Sequence, residues 1–247
     1  MVEIIYRGGL GDWLFQYCLG RMLARRWGVA LQAPELPDFP SARSMTGKLF
    51  VAPFRCWSGL AVEDRQTSAL VRGSEMLSPL RGRLMLYGWF HRWELYRDEF
   101  NYLRPLLECA PPLATAGEGD LVVVMRHTAP EAWKELTIHS GQAPAWSRVQ
   151  PSVESVKRLA DRLQPERLVI VADFPQRVDI SAFAPHRTEL RGLGGFDTWN
   201  WLQSARRLVI AAGHASDWWA ARLSEAEEIY VCDPWTDGDA ACVQEYG

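Results

Sequence analysis

Four short apolar runs in the second half of the chain, residues 121–125, 168–172, 208–212 and 229–232, most constrain its fold. They are rich in Val and Ile, the composition of strands buried on both faces of a parallel sheet. Amphipathic helical patterns separate them at residues 152–163, 196–205 and 216–226. Pro151 and Ser152 mark a helix start, and Pro165 marks a stop. Strand and helix alternating in this way predict a doubly wound α/β domain.

The first half carries the same signature less clearly. A strand is predicted at 2–6, then the turn Arg7-Gly8-Gly9-Leu10-Gly11-Asp12, then a helix over 13–27. Leu14, Phe15, Cys18, Leu19, Met22, Leu23 and Trp27 share one helical face; Gln16, Arg21, Arg25 and Arg26 fall on the other. The turn lets backbone come close to a ligand at Gly9, Leu10 and Gly11, and the helix start aims its N–H groups there. The spacing is neither the dinucleotide fingerprint nor a Walker loop. Further on, a strand at 29–33, a loop at 34–44, a strand at 84–90 and a helix at 91–107 are expected. Residues 45–83 give no clear period. The Ala/Pro/Gly-rich stretch 109–119 is the best boundary. The expected architecture is α/β, with two Rossmann-like domains, 1–112 and 118–247, facing a cleft.

Composition narrows the class. The 247 residues are 48% hydrophobic and 23% charged, with net charge −3. That disfavours a nucleic-acid partner, although Arg25-Arg26 and Arg81-Gly82-Arg83 are local basic spots. No apolar run is long enough to span a membrane, and no signal-peptide pattern opens the chain. The five scattered cysteines read as reduced core thiols, so a cytoplasmic location is expected. Twelve tryptophans are many; several neighbour polar residues, where their faces suit sugar rings or bases.

Ligands of open α/β sheets bind beyond the carboxyl ends of strands. The candidates there are Arg126 for a phosphate, His127 as a base or donor, and Asp173 for a ribose or base edge. After the third run come Ala215, Ser216 and Asp217, where a helix start could hold a pyrophosphate and Ser216 or Asp217 could be the N-cap.

In this order the pieces resemble the α-1,2-fucosyltransferase family (glycosyltransferase family 11-like). Gly8-Gly9-Leu10-Gly11-Asp12-Trp13-Leu14-Phe15-Gln16-Tyr17-Cys18 is similar to that family's G-G-L-G-N-Q-L-F-Q-Y-A run. Gly88-Trp89-Phe90-His91-Arg92-Trp93-Glu94-Leu95-Tyr96 resembles its G-Y-F-Q-S-E-x-Y-F stretch. Val124-Met125-Arg126-His127-Thr128-Ala129 stands where the family has H-I-R-R-G-D, with Arg126 matching. Residues 213–223, containing Trp218-Trp219, resemble N-S-S-F-S-W-W-G-A-W-L, and Pro234-Trp235 follows. Asp12 stands where the family has a neutral amide.

The resemblance implies a metal-independent, inverting glycosyltransferase of the GT-B type. It would move a sugar such as fucose from a nucleotide donor such as GDP-fucose to a glycan hydroxyl, without a bound cofactor. Asp237-Gly238-Asp239 lies in a polar tail rather than at a strand end, so no metal site is expected. Arg126 would contact the donor phosphates, with Asp12, His127 and Asp217 as base candidates. Two other readings stand beside it: a catalytically impaired binding module, and a sugar transferase acting on nucleic acid.

Overall fold

The computed structural model describes residues 1–36, 38–45, 60–62, 84–86, 90–91, 93–126, 152–192, 194–211, 214–232 and 242–245. Two compact units divide the chain, Met1–Ala110 and Pro111–Gly247.

The first unit holds strands β1 (Val2–Ile4), β2 (Leu31–Gln32), β3 (Leu60–Val62) and β4 (Leu84–Leu86) in the order β2-β1-β4-β3, every pairing parallel. Helix α1 (Leu10–Trp27) follows β1. It starts three residues before the periodic pattern does, because Gly9 is its N-cap and the Asp12 carboxylate accepts the Gly9 N–H at 2.8 Å. The expected polar face fails at Gln16, which is buried. Its amide donates to the Arg7 carbonyl and accepts the Arg7 N–H, each at 3.0 Å, so both polar ends are satisfied by the loop before the helix. Gly20 faces the sheet, where a Cβ would stand 2.5 Å from Ile4 Cδ1, so a side chain there would push α1 off β1.

The helix expected over 91–107 is broken into single turns at Trp93–Leu95, Arg97–Glu99 and Arg104–Leu107 around α2 (Phe100–Leu103). Tertiary anchoring overrides the local pattern here. Tyr96 is fully buried, and its hydroxyl hydrogen-bonds the carbonyls of Phe15 and Phe90 at 3.2 and 2.8 Å. Pro105 also removes a backbone donor from the last turn. Of the strand expected over 84–90, Leu84–Leu86 is observed and residues 87–89 lie outside the described residues, while Phe90 has φ +56°, a left-handed conformation foreign to a regular strand.

The second unit holds β5 (Asp120–Met125), β6 (Arg167–Ala172), β7 (Thr188–Gly192), β8 (Arg207–Ala211), β9 (Glu228–Cys232) and β10 (Cys242–Glu245), in the order β10-β9-β8-β5-β6-β7. All pairings are parallel except β10 with β9. Helices α3 (Val153–Leu163), α4 (Gly195–Leu202) and α5 (Ala215–Leu223) lie between strands. Ser152 caps α3 by accepting the Ser155 N–H at 3.0 Å. The central core joins Val123, Ile170 and Val209 of the sheet to Val156 and Phe183. The edge strand β7 has no apolar run to announce it; it reads Thr-Glu-Leu-Arg-Gly and is only partly buried.

At the amino ends of β5 and β6, Asp120 accepts from Arg167 Nε and Nη2 at 3.0 and 2.6 Å and from the Gly117 N–H at 2.7 Å. Burial pushes this carboxyl up, but the Arg167 fork and the Gly117 N–H outweigh it and hold it below its ordinary 3.8. The unfolded chain therefore takes up this proton first, and the stabilisation is present above pH 3.8 and lost as pH falls through the folded value. In denaturant titrations at successive acid pH values, Asp120→Asn is expected to be weaker at neutral pH and to lack this part of the acid-induced fall. An unchanged acid slope would remove Asp120 from the account.

Candidate functional site

In each sheet the chain leaves its first central strand in one direction and later returns to its other side. In the second unit β5 is flanked by β6 and β8. In the first, β1 is flanked by β2 and β4. The carboxyl ends of such a strand pair frame the crevice where open α/β sheets hold ligands. Polar side chains meet at both places.

Arg126 follows the last residue of β5, and Ser216 and Asp217 lie in the first turn of α5, which follows β8. Ser216 or Asp217 was the candidate N-cap. Instead His214 is the N-cap, with extended backbone, and both side chains turn toward Arg126. Arg126 Nε donates to Asp217 Oδ2 at 2.7 Å, and Nη2 donates to Asp217 Oδ1 at 2.5 Å and to Ser216 Oγ at 2.9 Å. The Asp217 side chain is 0% exposed and that of Arg126 21%. Burial works against the guanidinium charge, but Asp217, with Asp173 further off, more than compensates and holds Arg126 above its ordinary value. Nη1 takes no part in these three bonds. Asp173 Oδ1 accepts the Phe174 N–H at 2.9 Å, closing its own turn beyond β6. From α4, Trp199 Nε1 donates to the Ser216 carbonyl at 2.6 Å, and Phe196 stacks on Trp199 at 5.5 Å. Ala215 opens α5 beside this set. The fold thus gathers Arg126, Ser216 and Asp217 at one point.

In the first unit Gly9 and Leu10 form the entry to α1 and Gly11 lies buried in its first turn. Gly8, at φ +77°, supplies the left-handed residue of the turn. Asp12 does more than close the helix start. Its Oδ1 lies 2.7 Å from Nε2 of His91, just beyond the carboxyl end of β4. Both side chains are 19% exposed. The His91 ring packs on Phe15 at 4.9 Å, and Phe15 packs on Tyr96 at 5.4 Å. Sequence reasoning placed His91 in a motif but not in a site. The available signal was that Asp12 and His91 both replace amides of the resembled family pattern.

His127 and the 237–239 tail lie outside the described residues. Among the described residues no cluster of three or more His, Cys, Asp or Glu has metal-site geometry, and no helix is long and apolar enough to cross a membrane.

No protein-family model matches the chain, and no curated protein does. Among solved structures, an arginine-to-lysine mutant of Arabidopsis thaliana FUT1 in complex with GDP matches with a TM-score of 0.55 at 12% identity. The match covers 98% of this chain and 73% of that one. At this identity the likeness is one of fold: a mixed α/β, fucosyltransferase-like fold with parallel sheets. It does not single out the family 11-like enzymes.

Proposed function

We propose that this protein is a nucleotide-sugar-dependent glycosyltransferase of the GT-B type. It transfers fucose from GDP-fucose to a glycan hydroxyl with inversion and without a metal ion. Residues 118–247 would serve the donor and residues 1–112 the acceptor. The observation that carries this reading is Arg126, clamped through Nε and Nη2 by Asp217 and Ser216 where the strand order reverses. A neighbour in fold that was solved with GDP supports the choice of ligand class.

Departure of a nucleoside diphosphate builds negative charge on its terminal phosphate. Arg126 Nη1 and the first N–H groups of α5 would receive that charge, and a fixed donor in such a place is worth about 3–4 kcal/mol. Asp217 faces Arg126 with both oxygens, so its part is to hold the guanidinium rather than to take a proton from the acceptor. Asp173 and the backbone at Ala215 would border the nucleotide, and Gly9, Leu10 and Gly11 the acceptor.

Thermal unfolding with GDP, UDP, ADP and CMP tests the donor assignment. GDP at 100 times its dissociation constant is expected to stabilise by about 2.7 kcal/mol, and the others by less. A preference for another nucleotide would reassign the donor base. Absence of any shift with all four would overturn the reading, and saturable GDP binding without sugar transfer would mark a binding module instead.

A further inference from the structure

We infer that Arg177 reads the base of the nucleotide and selects guanine, with Phe174 as the platform that holds it; the inference deepens the transferase reading above and rests on it. Every residue involved belongs to the second unit. Arg126 follows β5, and residues 173–177 follow β6, the strand paired with β5, so both stand at the same end of one sheet. The Asp173 charge bears on the Arg126 guanidinium, which places the start of this turn near the proposed phosphate position. Pro175 seats the turn on β7: a Cβ at Gly192, the last residue of that strand, would lie 3.7 Å from Pro175 Cγ. Pro175–Arg177 forms a single helical turn, and the Arg177 N–H donates to the Phe174 carbonyl at 2.9 Å. The Arg177 side chain folds back over the Phe174 ring, its guanidinium carbon 4.8 Å from the ring centroid. Phe174 is half-buried and Arg177 is exposed. Arg126, Arg167, Arg191 and Arg206 of this unit each face a carboxylate, but among the described residues none lies within ion-pair distance of Arg177. Its guanidinium is thus held in place by an aromatic face rather than by a counter-charge.

The chemistry of the fork sets the choice of base. A guanidinium laid on a ring keeps its planar edge, with its N–H donors, for another partner. Guanine carries two adjacent acceptors, N7 and O6, which match that edge with two parallel hydrogen bonds. Adenine offers N7 but a donor amino group beside it, so one arm of the fork would meet a donor. Pyrimidines have no such pair of acceptors. The nucleotide then lies across the carboxyl ends of β5 and β6, its phosphates at Arg126 and its base at Arg177. No bond is made or broken at Arg177; it determines specificity. A lysine there would keep the charge and lose the fork.

The test is calorimetric titration of wild type, R177A, R177K and F174L with GDP, with ADP, and with 7-deaza-GDP, which lacks the N7 acceptor. Wild type is expected to bind GDP about 5–150-fold more tightly than ADP, the range of one bidentate pair, and to prefer GDP over 7-deaza-GDP in the same sense. R177A is expected to lose most of both preferences while its ADP affinity changes by less than about threefold. R177K should resemble R177A in base preference. F174L, which removes the platform and leaves the fork, is expected to weaken GDP by about two- to fivefold. Arg177 is exposed, so R177A should unfold at the wild-type urea midpoint, which keeps folding out of the comparison. An R177A protein that keeps the wild-type preference for GDP over both analogues would overturn the assignment. Equal loss of GDP and ADP affinity in R177A would overturn it too, since Arg177 would then serve a phosphate. Failure of the transferase reading looks different: wild type binds none of the three nucleotides, and both inferences fall. GDP binding with this dependence on Arg177 but without sugar transfer would support the base assignment and remove only the transfer.

Discussion

Alanine at Asp217 is expected to lower the free energy of unfolding by about 3 kcal/mol, the lower end of the 3–5 kcal/mol seen when one partner of a buried ion pair is removed. The Asp217 side chain is wholly buried and accepts from two nitrogens of Arg126. Without it the guanidinium keeps its charge in a largely buried place, with the Ser216 hydroxyl and the more distant Asp173 left to answer it. Arg126 is partly exposed, so water relieves part of the cost, which is why the lower end is the expected one. Urea denaturation at neutral pH measures the effect directly. A loss under about 1 kcal/mol, the range of exposed pairs, would show that the clamp contributes little to the fold.

The companion prediction separates stability from ligand chemistry. Changing Arg126 to methionine alone leaves Asp217 as an orphaned buried carboxylate, so any loss of activity would be confounded with unfolding. Pairing Arg126→Met with Asp217→Leu removes both charges and fills the space with apolar atoms. Such exchanges of whole buried pairs are close to neutral or stabilising. The double variant is therefore expected to unfold near the wild-type midpoint. Its transfer from GDP-fucose is expected to fall by about 10²–10³-fold, the cost of one fixed donor to developing charge. A folded double variant that transfers sugar within a few-fold of wild type would remove Arg126 from the chemistry. One that stays as destabilised as Asp217→Ala would show that packing, not charge, sets the site.

Much of the second sheet was legible before any coordinates, because runs such as 168–172 are apolar on both faces and a strand at the centre of a parallel sheet has no alternative. Edge strand β7 was not, since Glu189 and Arg191 alternate with little to bury and form ion pairs instead. Gln16 was placed on the wrong face for a related reason: periodicity sorts polar from apolar, and it cannot see that the Arg7 backbone offers both a donor and an acceptor inside. Arg126, Ser216 and Asp217 could each be named as strand-end residues. That they form one clamp depends on β8 lying beside β5, a long-range pairing no local pattern encodes. His91 was hidden in the same way, its meaning depending on β4 lying beside β1.

The Arg126–Asp217 contact also determines how a nucleotide would find its place. With the carboxylate 2.5 Å from the guanidinium, the two charges cancel at a distance and the site presents a dipole rather than a positive beacon. On a chain of net charge −3, an anion approaching from solution is not drawn in from afar. Selectivity would then fall to short range, to whatever fits beside the clamped guanidinium. Free sulfate or inorganic phosphate gains little from such a place. Under the proposed function a spent nucleotide would not be trapped there by a strong counter-charge either, and association should vary only weakly with ionic strength.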